Sequence, residues 1–162
     1  MWGWQAGPIP LQLPDGYEID DQPARVDLEV VWSFLSTEAY WGRWRSRQDV
    51  TQQVTGAWRV VGAYRGADRS MVGFARAVSD GVALAYLADV FVLPTHRGQG
   101  LGSQLIAVMI DDGPGAESRW LLHTADAQHL YGRFGFAPQC QSLLERPGAR
   151  PAIASAPTPE SQ

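Results

Sequence analysis

The 162-residue sequence contains no lysine, so all 13 basic residues are arginine. Chemistry that runs through a lysine amine is excluded with it: a Walker A loop, a pyridoxal Schiff base and a protein kinase all need that side chain. A single cysteine, Cys140, can form neither an internal disulfide nor a multi-thiolate metal site, which fits a reducing compartment. The three histidines, His96, His123 and His129, are scattered, and no H-E-x-x-H or G-x-S-x-G segment occurs, so no metal site and no serine-hydrolase elbow is expected. Positive charge is not in excess either. The 13 basic residues face 17 acidic ones, for a net charge of −4 and a pI near 5.3, which gives no electrostatic reason to expect nucleic acid as a partner. No run of about 18 apolar residues is present, and the opening MWGWQAGPIP lacks the basic start and apolar stretch of a signal peptide. The expectation is a cytoplasmic protein with no membrane partner.

What is present is globular. Hydrophobic residues make up 45% and charged residues 19%, enough to bury one core, and the length suits one domain. Prolines 8, 10 and 14 and their neighbouring glycines make residues 1 to 16 an extended lead-in, and the Pro-, Ala- and Ser-rich residues 147 to 162 read as a disordered tail. Between them, residues 17 to 146 form the domain. A first strand is expected around Tyr17 to Asp20, a helix from Val26 to Thr37 and a second, polar helix from Ser46 to Val54. Three strands follow, near residues 58–66, 70–80 and 83–93, with links short enough to demand antiparallel pairing. A helix then carries Leu101, Leu105, Ile106 and Met109 on one face and stops at Gly113-Pro114-Gly115. A short strand at Trp120 to His123, a helix with Ala127, Leu130, Tyr131 and Phe134 on one face, and a last strand at Leu143 to Glu145 complete the order. The fold class is α+β, with a mixed, mostly antiparallel central sheet flanked by helices.

One segment carries chemistry. The strand Leu87-Ala88-Asp89-Val90-Phe91-Val92 runs into Arg97-Gly98-Gln99-Gly100-Leu101-Gly102, which opens a helix. A helix N-terminus offers unpaired N–H groups and partial positive charge, and glycines let an anion approach that backbone. Such a turn binds phosphate, or is merely a glycine-rich connection. A dinucleotide fingerprint does not fit, because Ser103 stands where its third glycine would be and the segment does not lie directly on the strand-to-helix turn.

With Val92-Leu93-Pro94 before it and Leu130-Tyr131-Gly132-Arg133-Phe134-Gly135-Phe136 after it, Arg97-x-x-Gly100-x-Gly102 resembles the acyl-CoA signature of the GCN5-related N-acetyltransferases. Thr37-x-x-Tyr40-Trp41, Val72 to Arg76, Asp89 to Val92 and Asp126-Ala127 look like a bacterial branch of that superfamily whose acceptor is unassigned. The resemblance implies acetyl-CoA as cosubstrate. Its pyrophosphate would rest on Arg97, Gly98, Gln99, Gly100, Leu101 and Gly102, and its pantetheine on Val90, Phe91 and Val92, with Thr124 where many members have asparagine. A bulge would splay the strand from its neighbour, and a main-chain N–H near Val90 would polarise the acetyl carbonyl. Tyr131 matches the residue that protonates the departing thiolate, although its helical face would equally suit a core tyrosine.

Asp89, a charge in an apolar strand, is the first candidate for the base that takes the amine's proton, ahead of Asp126, Asp80 and Glu38. Asp126 would equally serve as a helix cap and Asp80 as a turn residue. In the family Tyr40, Trp41, Trp44, Arg43 and Arg45 fall in the region that lines the acceptor side, where they would suit an acceptor with a carboxylate or phosphate, or they would form a helix corner with solvated arginines. The implied reaction is direct transfer of an acetyl group to a small-molecule amine without a cysteine nucleophile, by a chain that could pair as a homodimer. The alternative is an acyl-CoA-binding regulator that has lost turnover.

Overall fold

The computed structural model describes residues 10–139, 143, 144 and 146. Its centre is a six-stranded sheet in sequential order: β1 (Leu11–Gln12), β2 (Tyr17–Asp20), β3 (Arg59–Arg65), β4 (Met71–Ser79), β5 (Leu84–Val92) and β6 (Arg119–Leu121). The first four pairings are antiparallel and β5 with β6 is parallel, as a mixed, mostly antiparallel sheet requires. Of the expected lead-in, residues 10–16 are described, and Leu11 and Gln12 among them form a strand. Gly16, at φ 75°, closes a tight turn in which Leu13 N–H donates to Tyr17 O at 2.8 Å, so that Leu11 and Gln12 come to lie against β2.

Two helices cover one face of the sheet. Helix α1 (Leu28–Thr37) begins where the Asp27 carboxylate accepts the N–H groups of Glu29 and Val30, and α2 (Arg47–Thr55) begins with a reciprocal box between Ser46 and Asp49. Val31, Phe34 and Leu35 of α1 and Val50 and Val54 of α2 pack on Val60, Tyr64, Phe74 and Phe91 of the sheet. Phe34 lies flat on Phe91 with ring centroids 4.1 Å apart.

The opposite face belongs to α3 (Leu101–Ile110), whose Leu101, Leu105, Ile106 and Met109 pack on Val61, Ala63, Val72, Ala75 and Leu87. Its C-terminal end is fixed by a buried arginine. Arg59 Nη1 donates to the carbonyls of Val108, Met109 and Asp112 at 2.9, 2.9 and 2.6 Å, while Nη2 pairs with Asp21 at 3.0 Å. Cationic donors suit a helix C-terminus, where carbonyls lack partners. Helix α4 (Gln128–Gly132) is a short piece of the expected helix, and the chain continues in turns to the left-handed Gly135. Its Leu130 and Tyr131, with Phe134 after it, pack against the core that the sheet and α3 share.

The expected last strand is not seen at Leu143 and Leu144, which are exposed and extend no sheet edge; Glu145, Cys140 and residues 147 to 162 lie outside the described residues. Among the described residues no helix is long and apolar enough to cross a membrane.

Candidate active site

Strands β4 and β5 slip by one residue where the site lies. Phe74 opposes Phe91 but Arg76 opposes Ala88, so β5 carries one residue more than β4 over this interval. Asp89 occupies the bulge with φ 51°, a left-handed conformation that is uncommon outside glycine. The extra residue turns Val90 onto the same core as Leu87, three positions earlier, which unbroken alternation forbids. It also sets the direction of the backbone. Leu93 N–H bonds inward to Val72 O at 2.8 Å, so alternation directs the polar groups of Val92 and Val90 outward, away from β4. Strand β6 leaves that edge uncovered, because it pairs only with Leu84, Ala85 and Tyr86. Beyond Tyr86 the two strands part, and the free edge of β5 faces the gap.

Three buried side chains hold the bulge. Arg45, in the connection between α1 and α2, forks onto Asp89 through Nη1 and Nη2 at 2.9 and 2.8 Å, and Arg76 Nε reaches Asp89 Oδ2 at 2.5 Å. Burial alone would raise the Asp89 pKa; the hydrogen bonds and positive charges of Arg45 and Arg76 outweigh it and hold the carboxyl below the ordinary range. A carboxylate so paired is a poor proton acceptor, so the arrangement gives Asp89 the work of an anchor rather than that of the base expected from its isolation in an apolar strand.

After β5 the chain passes through a single turn of 3-10 helix at Pro94–His96 and reaches Gly98 and Gly100, both in the left-handed region at φ 77° and 76°. Gly100 is the N-cap of α3 and supplies no side chain to the first N–H groups of that helix. An added Cβ at Gly98 or Gly100 would meet nothing within 4 Å, and at Gly102 only Val92 Cγ2 at 3.9 Å. Space is therefore kept in front of unpaired amides. They line a cleft of about 220 Å³ with Val92, His96, Arg97 and, from α4, Leu130. Arg97 folds back so that Nε donates to Val92 O at 3.1 Å, and no other described residue meets its terminal nitrogens. His96 is engaged by the Tyr17 hydroxyl at 2.9 Å from Nδ1. Gln99 is exposed beside them.

Tyr131, on α4, is packed edge-on against Phe136 at 5.8 Å and partly buried against the core. Burial, with the negative charge of Asp126 and the nearby Tyr40 hydroxyl adding to it, pushes its pKa up to about 12. Tyr40 reaches from the α1–α2 connection to the Asp126 carboxylate and the Ala125 backbone, and its own pKa is raised by burial and by the Asp126 charge. Trp41 is packed between Tyr40 and Phe34, at 5.0 and 6.5 Å between ring centroids. Arg43 points elsewhere: its Nη2 donates to Thr37 O at the end of α1, a capping position. Thr124 Oγ1 accepts the Ala127 N–H at 3.0 Å and shapes the turn into α4. Asp80 likewise gathers the N–H groups of Val82, Ala83 and Leu84, a turn role that leaves it far along β4 from the gap. Sequence reasoning passed over Arg76. The available signal was that Arg76 and Asp89 are the single charges of two adjacent apolar strands.

The family model described as acetyltransferase (GNAT) domain matches residues 57–138. The chain belongs to this family, the GCN5-related acetyltransferases. A Gibberella zeae protein assigned provisionally to the acetyltransferases is 30% identical over 107 residues, which are 65% of this chain and 58% of that protein, so the chain spans less than two thirds of that relative's length. Among solved structures, a Xanthomonas campestris pv. campestris protein assigned provisionally to the GNAT acetyltransferases shares 34% identity with a TM-score of 0.73, covering 82% of this chain and 93% of that one. A Deinococcus radiodurans structure at 21% identity and TM-score 0.65, over 85% and 94% of the two chains, shares the fold.

Removing the Asp89 carboxylate leaves two buried guanidinium groups without a counter-charge. Asp89→Ala is expected to cost about 3–5 kcal/mol of stability, read as a lower denaturant midpoint at neutral pH. Because the folded pKa of Asp89 lies below its unfolded value, the stability it supplies is complete above the ordinary carboxylate pKa of about 3.9 and is lost as the pH falls through the folded value. The wild type and Asp89→Ala should therefore converge in stability only in acid, a convergence that denaturation curves taken from pH 7 downwards would show.

Proposed function

We propose that the protein is an N-acetyltransferase that moves an acetyl group from acetyl-CoA directly to the amine of a small-molecule acceptor. The observation that carries this reading is the junction of a free β5 edge with the uncapped, glycine-lined head of α3. The donor chemistry of that junction fits the coenzyme. Amides at a helix N-terminus, with Arg97 beside them, suit a diphosphate, and outward-facing Val90 and Val92 offer strand-like bonds to the pantetheine amides.

The reaction then needs four things from this chain. The acetyl carbonyl, held along β5, gains negative charge as the amine nitrogen attacks, and the Val90 N–H is placed on the open edge to stabilise it. As the new N–C bond forms and the C–S bond breaks, Tyr131 gives its phenolic proton to the sulfur; a pKa near 12 keeps that proton in place at neutral pH. The proton released by the amine goes to solvent or to Asp126, an exposed carboxylate with no cationic partner among the described residues. Positioning of the two substrates in one gap supplies the remainder of the acceleration.

Two variants test the reading. Gly102→Ala replaces a helical glycine where the protein itself has room, so its melting temperature should hold or rise while the Kd for acetyl-CoA, measured by calorimetry, rises about tenfold or more. Unchanged affinity would remove the α3 head from the coenzyme site. Tyr131→Phe should bind acetyl-CoA as the wild type does, yet release free thiol about a hundredfold more slowly across a panel of amines. Equal rates would end the role of Tyr131 as acid, and binding without turnover in the wild type would leave a regulator in place of an enzyme.

A further inference from the structure

We infer that the acceptor carries a carboxylate beside its amine, and that Arg76 is the residue that recognises it. This inference rests on the transferase reading above and narrows its substrate to amino acids and amines of similar build.

Arg76 is a buried residue whose guanidinium is only half used. Its Nε is committed to Asp89, while Nη1 and Nη2 have no partner among the described residues and are not sealed from solvent. The other guanidinium is spent differently: Arg45 directs both terminal nitrogens at Asp89, adds Gln53 Oε1 at 2.7 Å, and has its Nε enclosed. Two arginines and one aspartate leave a single positive charge in a place largely cut off from water. An uncompensated charge there is costly, and an anion arriving at the open side of Arg76 would relieve it.

The position of this charge says what kind of anion. Asp89 immediately precedes Val90, so Arg76 stands beside the point where the acetyl carbonyl is to be polarised. Arg76 pairs across the sheet with Ala88 and lies on the side of Phe74 and Phe91, which is the α1–α2 face, whereas the coenzyme's diphosphate is assigned to the head of α3, packed on the other face. The free nitrogens are thus on the α1–α2 side of the sheet, the side that the transferase reading leaves to the acceptor. A planar pair of donors with one residual charge matches a carboxylate, a planar monoanion, better than a phosphate dianion. The amine would then be drawn towards the thioester from the same side, with the Asp126 carboxylate, which Tyr40 meets, attracting its positive form.

The test is a paired acceptor panel given to the full chain with saturating acetyl-CoA: amino acids against the amines formed from them by decarboxylation, such as phenylalanine against phenethylamine. The amino acids should be used with a kcat/KM at least tenfold higher. Arg76→Lys, which keeps a charge for Asp89 but has no spare fork, should lose most of that preference through a raised KM for the amino acid, with a much smaller change in the KM for the decarboxylated amine. Equal or better use of the decarboxylated amines by the wild type would overturn the carboxylate clamp and leave the transferase reading intact, and it requires no variant to fold. Preference for a phosphate-bearing amine over the amino acids would overturn it equally. Should acetyl-CoA bind and no amine be acetylated, the transferase reading fails, and calorimetry with the same amino acids decides the clamp: binding lost in Arg76→Lys upholds it, and equal binding overturns it.

Discussion

One inserted residue organises this molecule. Because β5 holds one residue more than β4 at Asp89, Leu87 and Val90 share a core face, and the polar groups of Val90 and Val92 turn to an edge that β6 does not cover. The backbone of Asp89 is left-handed there, a state that side chains other than glycine, asparagine and aspartate rarely accept. Its carboxylate makes the conformation durable by bonding Arg45 from one connection and Arg76 from the neighbouring strand. The same three residues that fix the bulge therefore also fix the loop carrying Tyr40, which meets Asp126. Strain and charge are concentrated at one point, and the two arms of the gap are tied to it.

The α3 helix is set against that point from the other side of the sheet. Its C-terminal carbonyls are bound by the buried Arg59, so its far end is satisfied and anchored. Its near end is not: Gly100 brings no cap, Gly98 and Gly100 require the left-handed conformation, and Gly102 has room for more than it carries. A helix finished at one end and bare at the other is oriented to meet an anion, and Arg97, held to Val92 O, adds its charge where β5 ends.

The local patterns of the sequence were informative wherever chemistry is short-range. Tyr17–Asp20 forms as read, Asp27 and Ser46 cap the first two helices, and Leu101, Leu105, Ile106 and Met109 point to one core. The glycines after Arg97 gave away the α3 head for the same reason, since positive φ and an absent cap are written in adjacent residues. What could not be read is long-range. The fork from Arg45 to Asp89 spans 44 positions, and the contact of Arg59 with α3 about 50, so neither leaves a periodic trace. Asp89 is legible as an anomaly but not as half of an ion pair, and spacing alone does not separate Arg43, which caps α1, from Arg45, which reaches Asp89. Helix α4 is shorter than its apolar face suggested, for Gly132 and Gly135 interrupt it and no side chain caps its start.

On the proposed function, main-chain amides of Gly98 to Gly102 and the outward edge of Val90 to Val92 would hold coenzyme A together. Backbone amide resonances followed during titration with coenzyme A test it most directly. The largest and saturable shifts are expected at those two segments, with Arg59 and the α3 C-terminus unmoved. Shifts confined to other parts of the sheet, or none at the α3 head at saturation, would contradict it.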